Sequence, residues 1–321
     1  MLAVSVNQKA HRMKVNIDLI KDFENTILSE IEELKKKGFK FITYEQWQNQ
    51  KDKGTELDYR KFLVYSFWNL KQRLIVVKPR KILYAKNFVR LPEFENGLQQ
   101  IEKEIINGDS LFPRLSRKIY NPDEQDGMLF DFGIYHLHLG TIQDSKYPYL
   151  VQGQKKILYC LFDNEFAYFL VIDKHGRWND LDLLRIINEN FPKKLDSWEM
   201  KDAILTNNYI QEERKHLRSL GINTLIELDG KFYMSPGGGF NMSGTSFQSI
   251  RTFQKQVRCL REIENALKEN FANKIELEQK LKVATLSLSL QSLEPLVLID
   301  KESKIYIEFD KDETLKISTY K

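Results

Sequence analysis

The sequence is poor in the features that assign a chain quickly to a class of protein. It contains only two cysteines, Cys160 and Cys259, which are too few and too far apart for a disulfide framework or a cysteine metal site. We interpret both as small hydrophobic residues of a reducing compartment. The sequence has no run of about eighteen apolar residues and no apolar signal-peptide centre. These absences predict a cytoplasmic protein without contact with a membrane.

The chain also lacks a strong charge of either sign. Its 49 Lys and Arg residues against 45 Asp and Glu residues give a formal net charge of +4. Such a balance allows nucleic-acid binding without requiring it. No serine or cysteine nucleophile motif and no dinucleotide fingerprint occurs, so we expect no cofactor. The length of 321 residues indicates about two domains.

The hydrophobic pattern predicts an α+β fold with a central, mostly antiparallel sheet and covering helices. We divide the chain into a mainly helical N-terminal region (1–115), a central histidine-bearing sheet region (116–240) and a long helix with C-terminal strands (241–321). Helices are predicted over 16–37, 57–70, 97–106 and 198–220, and from 245 onward. A further helix, capped by residue 179 or 180, is predicted to cover the sheet. Residues 48–56 are predicted to form a polar loop. Residues 73–88 predict two strand pieces interrupted by Pro79.

The most distinctive stretch reads LFDFGIYHLHLG and, after a gap, KKILYCLFDNEFAYFLVIDKHGRW. A strand over 132–139 would place His136 and His138 on one face, because successive side chains alternate. The apolar runs 157–162 and 166–173 flank an Asp-Asn-Glu turn, which predicts an antiparallel hairpin. His175 follows this hairpin. It would approach the other two histidines if the first strand pairs beside the hairpin.

Residues 132–178 resemble the sheet of RelE-type RNase toxins, which belong to a wider group that includes barnase and the colicin RNases. In those toxins a strand ending near a glycine leads into a hairpin with a polar or basic last strand. The present stretch departs from them by an insertion at 140–154 and by histidines in place of the arginines typical of the first strand. The resemblance implies a metal-independent ribonuclease of toxin or phage-defence type.

Carried over by position, the resemblance implies a catalytic set and a phosphate clamp. His136 or His138 would be the general base or acid, and His175 its counterpart. Cations near the hairpin would neutralise the phosphate. Arg117 is included among the substrate-binding residues because it lies shortly before the first strand in the sequence. These substrate-binding residues are Lys155, Lys156, Arg177 and Arg117.

A structural interpretation of the histidines stays open beside the catalytic one. His136 and His138 are then half-buried sheet residues that bond to neighbours such as Asp131 or Tyr149. The chain would be a non-catalytic module that binds nucleic acid or protein.

A third interpretation concerns metal chemistry. The His-hydrophobic-His triplet resembles the metal-binding strand of rolling-circle endonucleases, which implies a nicking enzyme or phosphoesterase. His175 or Asp131 would be the further ligand, and Tyr209 the nucleophile.

Two further segments have a composition that suits an anion. Cations alternate with aromatic residues between Lys71 and Arg90, as in chains that follow a phosphate backbone, although a solvated strand edge is the simpler interpretation. The glycine-rich run 235–246 leads into a helix whose N-terminus could bind phosphate. A connector with Ser243 or Thr245 as helix cap explains that run equally well.

The prediction for function is therefore a cytoplasmic endoribonuclease that uses histidine acid/base chemistry and no metal. Its partner is nucleic acid, RNA in preference to DNA. An inhibitor protein or a second copy of the chain are the other partners that we consider.

Overall fold

A computed structural model of the chain describes residues 14–50, 54–176, 181–201, 209, 211–241, 244–272, 285–293, 296–302, 304–309 and 315–319. Helices pack on mixed sheets, which confirms the predicted α+β class. Among these residues, none of the helices combines the length and apolar character that crossing a lipid bilayer requires.

The secondary-structure elements are numbered in chain order. The α-helices are α1 Leu19–Lys36, α2 Tyr44–Gln50, α3 Glu56–Arg73, α4 Glu95–Asn107, α5 Gly127–Phe132, α6 Leu181–Asn190, α7 Gln211–Ser219 and α8 Phe247–Ala272. The strands are β1 Lys14–Ile17, β2 Lys81–Tyr84, β3 Tyr135–His138, β4 Lys156–Phe162, β5 Phe166–Lys174, β6 Ile226–Leu228, β7 Lys231–Tyr233, β8 Thr285–Leu293, β9 Leu296–Asp300, β10 Ile305–Phe309 and β11 Leu315–Thr319.

The chain divides into two compact units, one formed by residues 1–30 and 253–321 and the other by residues 31–252. The first unit contains a sheet of order β1-β8-β9-β10-β11, in which β1 and β8 are parallel. Phe23 stacks on Phe253 in this unit with ring centroids 6.2 Å apart. The C-terminal strands predicted from the sequence include β9 and β10, which form an antiparallel hairpin. The predicted division into three regions stays a prediction.

The second unit is built on a sheet of order β2-β5-β4-β3. Strands β3, β4 and β5 are antiparallel neighbours, and β2 adds to the edge in parallel with β5. The predicted hairpin of β4 and β5 is confirmed. Its turn is held by Asp163 Oδ1, which accepts hydrogen bonds from the backbone N–H groups of Glu165 and Phe166 at 2.8 and 2.7 Å. A small hairpin of β6 and β7 forms around Asp229 and Gly230.

A core of buried apolar side chains joins the central sheet to α6. The sheet contributes Ile157 and Tyr159 among others, and α6 contributes Leu183, Leu184 and Ile187 at helical spacing. This spacing is the pattern that predicted a covering helix after the hairpin. The predicted capping residues at 179–180 lie outside the described residues.

The strand predicted over 132–139 is shorter in the structure. Phe132 belongs to α5, which begins when Asp126 accepts a hydrogen bond from the Leu129 N–H at 3.1 Å. The helix ends at Gly133, whose φ of 73° is the left-handed conformation that glycine adopts readily. The strand therefore starts only at Tyr135. The alternation that places His136 and His138 on one face is unaffected.

Two other local predictions are corrected. The first strand piece predicted within 73–88 does not form, because α3 continues to Arg73 and residues 74–80 lie outside strands; only the second piece becomes β2. The polar loop predicted over 48–56 is partly helical, since α2 runs to Gln50 and α3 begins at Glu56 behind a capping box made by Thr55 and Asp58. The helix predicted over 198–220 is confirmed only for α7, and residues 202–208 and 210 lie outside the described range.

We predict that Gly97→Ala destabilises the protein although alanine favours helices. Gly97 is buried in α4, and a Cβ added there would overlap the carbonyl oxygen of Leu139, just after the histidine-bearing strand. The expected loss is about 1–3 kcal/mol in the free energy of unfolding, measured by urea denaturation. Gly127→Ala is the matched control, because a Cβ at that helix start meets nothing within 4 Å. Equal midpoints for the two variants would contradict the described packing.

Candidate functional site

Strand pairing brings the three predicted catalytic histidines together. β3 pairs with β4 and β4 with β5, so that His138, Ile157 and Asp173 lie in one row across the sheet. His175 comes two residues after Asp173. The ring centroids of His136 and His138 are 6.3 Å apart, and those of His138 and His175 are 5.2 Å apart. The condition stated from the sequence, that the first strand pairs beside the hairpin, is met.

The three imidazoles differ in their exposure to solvent. His136 is buried, His138 is half-buried and His175 is exposed. The Nδ1 atom of His138 is buried and has no hydrogen-bond partner in the described part of the chain. His175 Nε2 lies 3.2 Å from the carbonyl oxygen of Gln154. The row of histidines therefore runs from the interior to the surface.

Burial decides the protonation of the two inner histidines. Loss of hydration lowers the pKa of His136, an effect that the Asp126 carboxylate opposes and His175 reinforces. Burial likewise lowers the pKa of His138 to about 3, and the neighbouring histidines act in the same direction. Both rings are consequently neutral near pH 7, and each can accept a proton but not donate one as an acid.

A cavity of about 300 Å³ opens beside His136. Three cationic side chains from separate parts of the fold line it, namely Arg73, Lys118 and Arg218. The Asp126 side chain also lines this cavity, which we call the cationic cavity. Its volume lies at the lower end of the range for small-molecule sites, about 300–1,000 Å³.

Arg73 reaches the cationic cavity from the C-terminal end of α3. Its guanidinium donates hydrogen bonds to the carbonyl oxygens of Lys118 and Asn121 at 3.3 and 2.5 Å. The Nε atom is buried without a hydrogen-bond partner among the described residues. Burial lowers the pKa of Arg73 to about 10, so the side chain keeps its charge at neutral pH. A charged guanidinium on a cavity wall is suited to an anionic ligand.

Arg218 enters the same cavity from α7. It forms an ion pair with Asp131 at the end of α5, and its guanidinium lies over the ring of Phe132, 5.5 Å from the centroid. Asp131 also accepts a hydrogen bond from Ser235 Oγ at 2.5 Å and has Arg214 at 3.7 Å. Burial lowers the pKa of Arg218 to about 10, which again leaves it charged near pH 7. Asp131 thus forms ion pairs with both Arg214 and Arg218.

The remaining cation, Lys118, is exposed on the short 3-10 turn Arg117–Tyr120 and forms an ion pair with Glu124. Apolar side chains complete the cavity wall; they include Leu115, Ile119 and Phe240. The site therefore offers positive charge, a neutral imidazole and an apolar surface to one bound group.

The described cations among those predicted from the sequence lie outside the cationic cavity. Arg117 forms an ion pair with Asp144 and stands over the Tyr147 ring, 5.8 Å from its centroid. Lys155 is exposed directly before β4, and Lys156 is the first residue of that strand. Arg177 lies outside the described residues.

The sequence analysis did not single out the three cations of the cavity. Arg73 stands within the basic segment between Lys71 and Arg90, Lys118 directly follows the predicted Arg117, and Arg218 belongs to the predicted helix 198–220. Each segment contains several other cations, and no local pattern distinguishes the residue that faces inward.

The glycine-rich run does not offer its described N–H groups to an anion. Those of Gly237, Gly238 and Gly239 donate to the carbonyl oxygens of Asp131, Ser235 and Phe130 respectively. A Cβ at Gly237 would overlap the Leu129 carbonyl oxygen, so close backbone packing explains the glycine. Ser243, one of the two predicted caps, lies outside the described range.

The basic and aromatic segment 71–90 is also used largely within the fold. The Arg80 guanidinium donates to the carbonyl oxygens of Asp163 and Val76 at 2.7 and 2.8 Å. Arg90 pairs with Glu95 and Glu102, each at 2.7 Å. Arg73 lines the cationic cavity, whereas Arg80 and Arg90 do not.

The structural and metal interpretations named Asp131, Tyr149 and Tyr209 beside the histidines. The Asp131 carboxylate is engaged with Ser235 and the α7 arginines, and Tyr149 and Tyr209 are exposed. Within the described ranges, no three His, Cys, Asp or Glu side chains are grouped so that they could hold a metal ion.

Comparisons with protein-family models, curated proteins and solved structures found no match to this chain. The resemblance to RelE-type toxins stays a prediction. Function is inferred from the residues of the site.

The lowered pKa of His138 predicts a specific dependence of stability on pH. Its folded pKa of about 3 is below the unfolded value of about 6.5, so acidification protonates the unfolded chain first. Stability is therefore lost as the pH falls from about 6.5 toward 3. We expect His138→Gln to remove part of this loss, about 1–2 kcal/mol between pH 7 and pH 5. Urea unfolding of both proteins at the two pH values measures the difference, and parallel pH profiles would contradict the assignment.

Proposed function

We propose that the unit formed by residues 31–252 is a metal-independent ribonuclease whose active site is the cationic cavity beside His136. The observation that carries this proposal is the presence of a neutral imidazole and three cations on the wall of one cavity. Cleavage of RNA by its own 2′-hydroxyl needs a base for that hydroxyl, stabilisation of the negative phosphate, and a proton for the leaving oxygen.

Each requirement has a residue. His136, neutral at pH 7, accepts the proton of the 2′-hydroxyl as its oxygen attacks the adjacent phosphorus. Arg73, Lys118 and Arg218 stabilise the charge that develops on the phosphate oxygens. Lys118 at the exposed rim donates the proton to the departing 5′-oxygen. The products are a 2′,3′-cyclic phosphate and a 5′-hydroxyl, and the requirement for a 2′-hydroxyl favours RNA over DNA.

The other two histidines give the proton a way out of the site. His136 becomes protonated in the reaction, which is unfavourable in its buried position. His138 lies between His136 and the exposed His175, with ring centroids 6.3 and 5.2 Å away. We assign to this row the transfer of the proton from the buried base to solvent.

Lysines at the strand ends beside His175, on the sheet face opposite the histidine row, favour a polyanionic substrate that passes this edge of the sheet. Lys156 at the start of β4 is directly opposite Lys174 at the end of β5, and Lys155 precedes them. Like charges opposite each other on a sheet are destabilising, and a bound phosphate backbone would relieve this repulsion. The predicted roles of Lys155 and Lys156 are thus kept, as contacts to the RNA strand outside the cavity. A cytoplasmic location and a role as toxin or phage-defence enzyme, with an inhibitor protein as partner, belong to the same proposal and are supported by the sequence resemblance alone.

We expect His136→Ala to reduce RNA cleavage by about 10²–10⁴-fold, because general-base catalysis is lost. A labelled single-stranded RNA and its 2′-deoxy counterpart are the substrates, each with EDTA and with added Mn²⁺. The wild-type protein should cleave only the RNA, equally well in EDTA. Lys103→Ala, an exposed change on α4, is the control, and circular dichroism checks the fold.

Three results would overturn this assignment. Cleavage by the folded His136→Ala variant at the wild-type rate would show that His136 is not the general base. DNA nicking that requires Mn²⁺ points to the metal-dependent alternative. RNA binding without cleavage in any condition points to the interaction module.

The cavity and the surface lysines should affect different kinetic constants. Lys118→Ala removes an interaction with the reacting group, and we expect kcat to fall about 10–100-fold. Lys156→Ala and Lys174→Ala remove contacts to the flanking strand, so KM should rise while kcat changes little. Each of these two changes should also lower the slope of log affinity against log salt by about 0.7. Identical effects of the cavity and surface variants would contradict the division of roles.

A further inference from the structure

A second cavity adjoins the cationic cavity and has no part in the proposed reaction. Its volume is about 280 Å³. Tyr135 lines both cavities, and its hydroxyl donates a hydrogen bond to the carbonyl oxygen of Gln72 at 3.1 Å. Gln72 lines the second cavity, and the next residue, Arg73, lines the first. The side chain of Tyr135 is therefore part of the wall between them.

A second pair of residues forms another part of this wall. Phe132 lines the second cavity, and Arg218, which lies over its ring at 5.5 Å, lines the cationic cavity. One layer of side chains thus separates the two spaces. The two cavities are therefore direct neighbours.

Flat apolar rings form much of the second cavity. Tyr135 and Phe162 meet edge to face with centroids 5.5 Å apart, and Phe132 contributes a third ring. Aromatic side chains are the surfaces on which unpaired bases stack, with about 1–3 kcal/mol per base.

Two amide side chains add polar groups to these rings. Gln72 from α3 and Gln248 from α8 both line the second cavity, and both are half-buried. Neither side-chain amide is hydrogen-bonded to another residue that the structure describes, since the bond that Gln72 accepts from Tyr135 is to its backbone carbonyl. Each amide offers a donor and an acceptor, which is the chemistry that reads the edge of a nucleobase.

The second cavity is not suited to a phosphate. Its cationic residue, Lys194, forms an ion pair with Asp163 and lies over the Tyr168 ring, 4.4 Å from the centroid. Among the described lining residues this cavity thus has one cation, whereas the cationic cavity has three. A neutral, planar group with donors and acceptors on its edge matches the lining better than an anion does.

We propose that the second cavity is a nucleobase subsite, which takes the unpaired base next to the phosphate held in the cationic cavity. The inference rests on the proposed ribonuclease function and gives it a substrate class: single-stranded RNA with a preferred base at one position beside the cleaved bond. A base enters the cavity only when it is unpaired, because a base pair is too large for about 280 Å³. The amides of Gln72 and Gln248 decide which base is preferred.

Binding tests the subsite independently of cleavage. The probes are fluorescent dinucleotides with a 2′-deoxy sugar at the cleavage position, in versions carrying each of the four bases and an abasic site on either side of the phosphate. We expect an abasic site on one side to weaken binding about tenfold, and one base to bind best there. Gln248→Ala and Gln72→Ala, on different helices, should each reduce the preference between bases about tenfold. Gln256→Ala, a half-buried glutamine of α8 outside this cavity, should keep it.

Cleavage of a random-sequence RNA pool gives the second readout. The base preferred in binding should be enriched next to the cleaved bonds, and the enrichment should disappear in the two cavity variants. Cleavage with no base preference, together with equal binding of abasic probes, would overturn the subsite and leave the ribonuclease proposal standing. Base-dependent binding without RNA cleavage would overturn the ribonuclease proposal and leave the nucleobase site standing.

Discussion

The pairing of β3 with β4 is the contact on which the whole candidate site depends. It places the short histidine-bearing strand at the edge of the sheet, beside the buried strand β4, and so fixes His136 and His138 relative to the end of β5. A shift of the register by one residue would turn both imidazoles to the opposite face. The row that ends at His175, and the position of His136 beside the cationic cavity, would be lost together.

The second physical feature of the site is a surplus of buried positive charge. Arg73 and Arg214 are buried and Arg218 is half-buried, and the Asp131 carboxylate is shared by the last two. Charges in such surroundings are costly unless they are paired and hydrogen-bonded. A protein that keeps them at a cavity wall sacrifices stability there, as is common where a charged ligand or transition state supplies the missing partner. The same surroundings lower the pKa of the two inner imidazoles and keep them neutral near pH 7.

The charges of the site lie in one of two neighbouring cavities that have different linings. The cationic cavity contains the cations and the imidazole, while the second cavity has aromatic rings and amides. Tyr135 and the Phe132–Arg218 pair separate them. Charge for a phosphate and flat surface for a base are thus adjacent, as they are in a nucleotide. The glycine-rich loop packs against α5. The N–H groups of Gly237 and Gly239 donate hydrogen bonds to backbone carbonyl oxygens of α5, and Ser235 Oγ donates one to the Asp131 carboxylate.

The sequence by itself determined the features that depend on near neighbours. The Asp-Asn-Glu turn and its two apolar runs specified the hairpin, and alternation placed His136 and His138 on one face, because such effects act over a few residues. It failed where local signals competed, as at Phe132, where the Asp126 cap continued a helix into the expected strand. Only the tertiary structure decided which cations face His136, since burial and pairing depend on contacts between segments far apart in the chain. Arg117, close in sequence, is engaged by Asp144, whereas Arg218, distant in sequence, is brought in by packing on α5.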